Sequence, residues 1–282
     1  MMLNSFRQLG RLSLPIFSFF SAVQAVTFPA TAEVHLVFPR NDTYASAELT
    51  PIVFAIYNSE LAAPLDLSFN YNIRSISNPN STHSGGIIDL SYVNFTNASD
   101  PYYAFSSTTL FNTTEGEWVI VWTLGSANCS DPRYSSPSVT YRNQNGYTIF
   151  TTKNGAQQLN LSTATTADSE TCADIVDRYF TFNVTGTLPA PPDKVDGRQT
   201  CAVVAPPFQT KPTVTTSCPP TVAASAVSSI SAAITAKACK ASRPVVSCPP
   251  KNAAVKASGL LTGRVTWLKA AAFSWLIYRL AL

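Results

Sequence analysis

Leu65-Asp66-Leu67-Ser68-Phe69-Asn70-Tyr71-Asn72-Ile73-Arg74 alternates apolar and polar side chains without a break. Successive side chains of a strand point to opposite faces, so Leu65, Leu67, Phe69, Tyr71 and Ile73 share one face and the polar set shares the other. One buried and one wet face is the pattern of an antiparallel sheet lying over a core.

The same pattern extends over residues 26–188, where β-branched and aromatic residues alternate with polar ones between clusters of Asn, Pro, Gly and Ser. Strands are expected at 33–38, 51–58, 65–74, 86–93, 102–110, 117–124, 147–152, 159–163 and 178–185. In 117–124, Trp118, Ile120 and Trp122 fall on one face and Val119 and Val121 on the other, the reading of a central strand. Nine short strands with turn signals between them predict an all-β, immunoglobulin/fibronectin-like β-sandwich over residues 26–200.

Both ends read as addresses. Arg7 and Arg11 precede an apolar run at 12–23 and small residues ending at Ala25, the form of a signal peptide over 1–25 with Val26 as the new first residue. At the other end, small residues Asn252, Ala253 and Ala254 precede a spacer at 255–266 and a mostly apolar tail at 267–282. This is the three-part form of a glycosylphosphatidylinositol (GPI) signal, with attachment at Asn252 and a propeptide over 253–282. The tail contains Lys269 and Arg279 and falls short of the roughly 20 apolar residues a membrane span requires.

Eight Asn-x-Ser/Thr triplets, at Asn41, Asn80, Asn94, Asn97, Asn112, Asn128, Asn160 and Asn183, are candidate N-glycosylation sites. Their middle residues include Phe95, Leu161 and Val184, which a strand would bury while presenting the asparagine to water. Six cysteines agree with an oxidising, extracellular compartment. Cys129 follows the central strand and Cys172 precedes the last one, so a disulfide between them is expected.

Cys201, Cys218, Cys239 and Cys248 fall in residues 201–252, a stretch rich in Pro, Thr, Ser and Ala that reads as a disulfide-containing low-complexity stalk. Four cysteines allow three connectivities. An Ala-rich helix over 222–238, about 25 Å long at 1.5 Å per residue, separates Cys218 from Cys239 and favours Cys201–Cys218 and Cys239–Cys248.

All sixteen acidic residues lie between Glu33 and Arg198, where eight Lys and Arg leave a formal −8. The full chain's formal charge of +3 becomes −3 once residues 1–25 and 253–282 are removed. A basic folded surface is thereby missing, and nucleic acid is not an expected partner.

Candidates for chemistry are few. His35 is expected on the polar face of the first strand and His83 in a polar turn, and neither has zinc-ligand spacing with a partner. No G-x-S-x-G, H-E-x-x-H or phosphate-cradling glycine loop is present, and no cofactor is expected. Glu115 and Glu117 stand on one side of the start of the central strand, a pair that a carboxylate glycosidase would use. Asp168, Glu170, Asp174 and Asp177 form an acidic loop lacking the glycine-centred spacing of a calcium site. Tyr102, Tyr103, Tyr134, Tyr141 and Tyr147 supply aromatic faces for sugar rings, whereas Trp118 and Trp122 read as core.

Val26-Thr27-Phe28-Pro29-Ala30, then 33–44 and Pro51-Ile52-Val53-Phe54-Ala55-Ile56, resemble an uncharacterised family of secreted, often GPI-anchored filamentous-fungal proteins. The resemblance extends through Trp118 and Trp122, Cys129 and Cys172, and the Ala-rich stretch with Val246-Ser247-Cys248-Pro249. It implies a fungal source and a domain of unknown function, with no catalytic residue to carry over. The expected role is a non-catalytic, glycosylated cell-surface or cell-wall protein, tethered to the membrane by lipid and contacting wall polysaccharide. The alternative is a wall glycosidase or transglycosidase acting through two carboxylates.

Overall fold

A computed structural model describes residues 26–78, 80, 83–130, 138–161, 179–190, 198–206 and 222–248. The described strands are β1 (Ala30–Phe38), β2 (Thr43–Tyr44), β3 (Thr50–Tyr57), β4 (Ser68–Ser75), β5 (Ser84–Ile88), β6 (Tyr102–Thr108), β7 (Gly116–Cys129), β8 (Val139–Thr152), β9 (Tyr179–Pro189) and β10 (Thr200–Val204). A single α-helix, α1 (Ala224–Ala238), is described after them. The strands form two five-stranded sheets, β10-β9-β1-β3-β6 and β2-β8-β7-β4-β5, named below after their central strands β1 and β7. The expected all-β class holds, and 117–124 does become the middle strand of its sheet.

The alternation in β4 has the predicted consequence. Phe69, Tyr71 and Ile73 are buried, and Ser68, Asn70, Asn72 and Arg74 are exposed. Trp118, Ile120, Trp122 and Leu124 of β7 turn to the same interior. Phe54 of β3 stacks on Phe69 at 4.4 Å between ring centroids and meets Trp122 at 5.0 Å, so one aromatic knot joins the sheets. Such ring pairs add about 0.5–1.5 kcal/mol each beyond the area they bury.

The β1 sheet is buried on both faces near its middle. Leu36 and Phe54 point to the interior, while Val37, Val53 and Ala55, one residue out of phase, are also at most 2% exposed. These residues belong to one cluster with Val222, Ile230 and Ile234, and Ile230 and Ile234 are one helical turn apart on α1.

Two seams close the sandwich. At the β5–β6 seam, Tyr71 Oη donates to Ser106 Oγ at 2.9 Å and Thr108 Oγ1 donates to Ser84 Oγ at 2.8 Å. Gly86 is needed here because a Cβ would lie 2.8 Å from the Tyr71 hydroxyl oxygen. At the other seam, Cys129 of β7 is bonded to Cys201 of β10. Around that bond, Val204 N–H donates to Asn128 Oδ1 at 2.8 Å, Ala202 N–H to Pro64 O at 2.9 Å, and Ala127 N–H to Leu65 O at 2.6 Å. Asp66, at φ 51°, pairs with Arg198 at 2.6 Å, with both side chains largely buried.

Several expectations are corrected by this seam. Cys129 pairs with Cys201 rather than with Cys172, and the expected Cys201–Cys218 pair is thereby excluded. Cys201 does not begin a stalk: it lies in β10, hydrogen-bonded to β9, and is 3% exposed. Val222, Ile230 and Ile234 likewise contribute to the core. Leu65, Asp66 and Leu67 precede β4 rather than belonging to it, because Asp66 takes a left-handed turn. Residues 159–161 are not a strand. The expected pair Cys239–Cys248 is present, while Cys172 and Cys218 lie outside the described residues.

Contacts divide the chain into two compact units, Met1–Ile234 and Thr235–Leu282, the second holding the end of α1 and the Cys239–Cys248 loop. Non-reducing peptide mapping is expected to recover Cys129 joined to Cys201. Paired Cys129→Ala and Cys201→Ala substitution is expected to lower unfolding stability by about 2–5 kcal/mol. A peptide joining Cys129 to Cys172 would contradict this assignment.

Candidate functional site

The glycosylation triplets lie mainly on connections between strands. Asn41, Asn80, Asn94, Asn112, Asn160 and Asn183 are exposed, while Asn128 is half-buried in the β7–β10 seam. The side chain of Asn97 is outside the described residues. Phe95, Leu161 and Val184 are all buried, as their triplets require. Only Asn183 and Val184 achieve this by strand alternation, on β9. Asn94 instead caps a 3-10 turn, its Oδ1 accepting from Thr96 N–H at 3.1 Å, and Leu161 follows β8.

Among the acids, Glu115 and Glu117 are both exposed around Gly116, at the start of β7. Glu115 Oε1 accepts from Asn154 N–H at 2.6 Å, so this carboxylate caps the turn after β8. Asp168, Glu170, Asp174 and Asp177 lie outside the described residues. Among the described residues no group of three or more His, Cys, Asp or Glu side chains could hold a metal ion.

A cavity of about 500 Å³ lies where β1 begins and β3 ends, lined by Val26, Thr27, Asn58, Ser59, Glu60 and Asp100 among others. Asp100 is committed to this wall: its Oδ1 accepts from Ser59 N–H at 3.0 Å. Glu60 and Asp100 are forty residues apart, and no local spacing signals that they line one cavity.

A polar and aromatic cluster occupies the outer face of the β1 sheet. His35 lies on the face expected for it, but that face is covered, and His35 is only 8% exposed. Its ring packs at 4.1 Å from Tyr179 and 5.3 Å from Tyr57, and its Nε2 stands 3.4 Å from Glu33 Oε2. His35 Nδ1 is buried with no hydrogen-bond partner among the described residues. Burial pushes the imidazole pKa down, opposed by the Glu33 carboxylate. Burial also pushes the Tyr57 and Tyr179 hydroxyls well up, with Glu33 adding to both, so both stay protonated. The alternation of Glu33 and His35 on β1 signals their shared face, but the tyrosines come from β3 and β9. His83 is exposed, as a turn residue should be.

Of the tyrosines, Tyr102 is half-buried against Phe95 and Tyr103 is half-buried on the β1 sheet. Tyr134 lies outside the described residues. Tyr141 and Tyr147 are about half exposed and project from the same face of β8.

A family model described as Domain of unknown function (DUF7136) matches residues 27–248. The chain belongs to this family. Comparison with curated proteins and with solved structures returns no significant match. The DUF7136 match includes β10, α1 and the Cys239–Cys248 loop as well as the strands before them, so the family's span continues past the boundary expected at residue 200.

The buried imidazole gives this DUF7136 domain a signed pH dependence. His35 titrates lower in the folded chain than its ordinary value near 6.5, so the unfolded chain binds more protons below neutrality. The stability associated with neutral His35 is complete above about 6.5 and is lost as pH falls through the lower folded-state value. Tm measured from pH 8 downward is expected to begin dropping near about 6.5 and to level off below the folded-state value, and His35→Phe, which keeps the contacts with Tyr57 and Tyr179, is expected to flatten the drop. An unchanged acid limb in the variant would contradict this.

Proposed function

We propose that this is a non-catalytic, N-glycosylated protein of the fungal cell surface or wall that contacts wall polysaccharide. The observation that carries the reading is the placement of the triplets, six of which present an exposed asparagine over connections and β9. Glycans there coat the rim of the sandwich without entering its core. Two disulfides fit an extracellular compartment. No helix among the described residues is long and apolar enough to cross a membrane. In this reading the chain is cleaved after Ala25 and carries its lipid at Asn252, with residues 253–282 removed.

The carboxylate alternative has less to support it. Glu115 is engaged by a backbone N–H and Glu117 is exposed beside it. Glu115→Gln with Glu117→Gln is expected to leave any wall-polymer turnover by the protein unchanged.

Treating intact expressing fungal cells with phosphatidylinositol-specific phospholipase is expected to release the protein. Mass spectrometry of the released form should find residues 253–282 missing and glycan on Asn183. Full-length protein in the medium, with the 267–282 peptide intact, would overturn the anchor.

A further inference from the structure

Among the described residues, no triplet asparagine projects from the solvent side of the β7 sheet; Asn128, on β7 itself, is half-buried in the seam with β10. That side does not lack asparagine. Asn70 and Asn72 on β4 and Asn143 and Asn145 on β8 are all exposed there, and none has Ser or Thr two positions on. The six exposed triplet asparagines stand elsewhere: five on connections, and Asn183 on the other sheet. A glycan is a bulky, solubilising group, so this face stays bare on a protein decorated around its rim.

We infer that the bare face binds a linear, uncharged polysaccharide along its surface. This assignment rests on the polysaccharide-contact reading above and names its site and ligand class.

The register sets out the chemistry in rows across the strands. Asn70, Thr123 and Asn145 form one row on β4, β7 and β8, and Asn72, Val121 and Tyr147 form the next. Each amide both donates and accepts, matching a sugar hydroxyl in either sense. Thr123 Oγ1 donates to Asn145 Oδ1 at 2.8 Å, which orients that amide and leaves its N–H groups for a ligand. Gly125, in the row with Ser68 and Asn143, keeps the floor low, since a Cβ would lie 2.6 Å from Ser68 Oγ.

Tyr141 and Tyr147 add apolar ring faces with polar tips, the combination suited to a sugar's C–H face and hydroxyl edge. Six strand residues separate them by about 20 Å, a span that suits a chain of several sugars rather than one. Side chains from β4, β7 and β8 cover about 10 Å across the sheet.

Charge argues for an uncharged ligand. Among the described strand residues on this face the charged ones are Arg74 and Glu117, of opposite sign in neighbouring rows at one end, while Asp89 is exposed just past the edge strand β5. The rows bearing the four asparagines and two tyrosines are neutral, in a region whose formal charge is otherwise −8 between Glu33 and Arg198.

The test is depletion of the glycosylated protein by insoluble β-glucan and by chitin, with polygalacturonate as the charged control. Depletion by at least one uncharged polymer is expected, and it should persist at about 1 M NaCl, where the Debye length is about 3 Å. Tyr141→Ala with Tyr147→Ala should weaken it at least about tenfold, the loss expected on removing an aromatic anchor, with only a small loss in Tm because each ring is already about half exposed. As an independent block, Arg74→Thr completes a glycosylation triplet on Asn72, and a glycan found there by mass spectrometry should abolish binding. Binding that survives both changes would overturn the face while leaving polysaccharide contact standing. Binding only to polygalacturonate, or lost in salt, would overturn the uncharged ligand. No depletion by any polymer would overturn both readings.

Discussion

The bond between Cys129 and Cys201 is the constraint on which the closed sandwich depends. It joins the end of the longest central strand to the edge strand of the opposite sheet, across 72 residues of chain. Four other contacts gather around it: Asn128 to Val204, Pro64 to Ala202, Leu65 to Ala127, and the ion pair of Asp66 with Arg198. Breaking a buried ion pair by removing one partner costs about 3–5 kcal/mol. The seam therefore couples the β3–β4 connection, the end of β7 and β10 into one unit. Opposite it, hydroxyl bonds at Tyr71 and Thr108 close the β5–β6 edge with weaker, neutral contacts.

This closure makes the two outer faces of the sandwich different. The β1 sheet has Val37, Val53 and Ala55 buried on its outer side and His35 held among aromatic rings beside them. The β7 sheet keeps a solvated outer side, with Val119 and Val121 half-buried between polar neighbours. Its strand alternation supplies regular rows of amide, hydroxyl and tyrosine side chains on a nearly neutral surface. Those rows are the part of the molecule whose geometry repeats as a polymer does.

Much of the fold was legible in the sequence because its strands are mostly half-buried. The alternation of Phe69 to Arg74 announced its own two faces, and the two-sided apolar run at Trp118–Trp122 announced the middle of a sheet. What failed was long-range. Pairing of Cys129 with Cys201 depends on β10, whose five residues follow a stretch read as the domain's end and carry no alternation to distinguish them from a linker. Asp66 looks like another outward-facing strand residue until its left-handed turn and Arg198 partner are seen. At the candidate site, the burial of Phe95, Leu161 and Val184 followed from apolarity, but which face presents no exposed triplet asparagine among the described residues required knowing the strand order. Tyr141 and Tyr147 were recognisable as aromatics, and their common face became visible only once β8 was seen to run unbroken through both.

Hydroxyl-radical footprinting with and without the bound glucan or chitin tests the central claim most directly, because exposed tyrosines report individually. Tyr92, 92% exposed in the connection between β5 and β6, is the internal control. The account predicts that Tyr141 and Tyr147 lose reactivity in the complex while Tyr92 keeps it. Protection of Tyr92, or of Tyr57 and Tyr179 on the other sheet, with Tyr141 and Tyr147 unchanged, would contradict it.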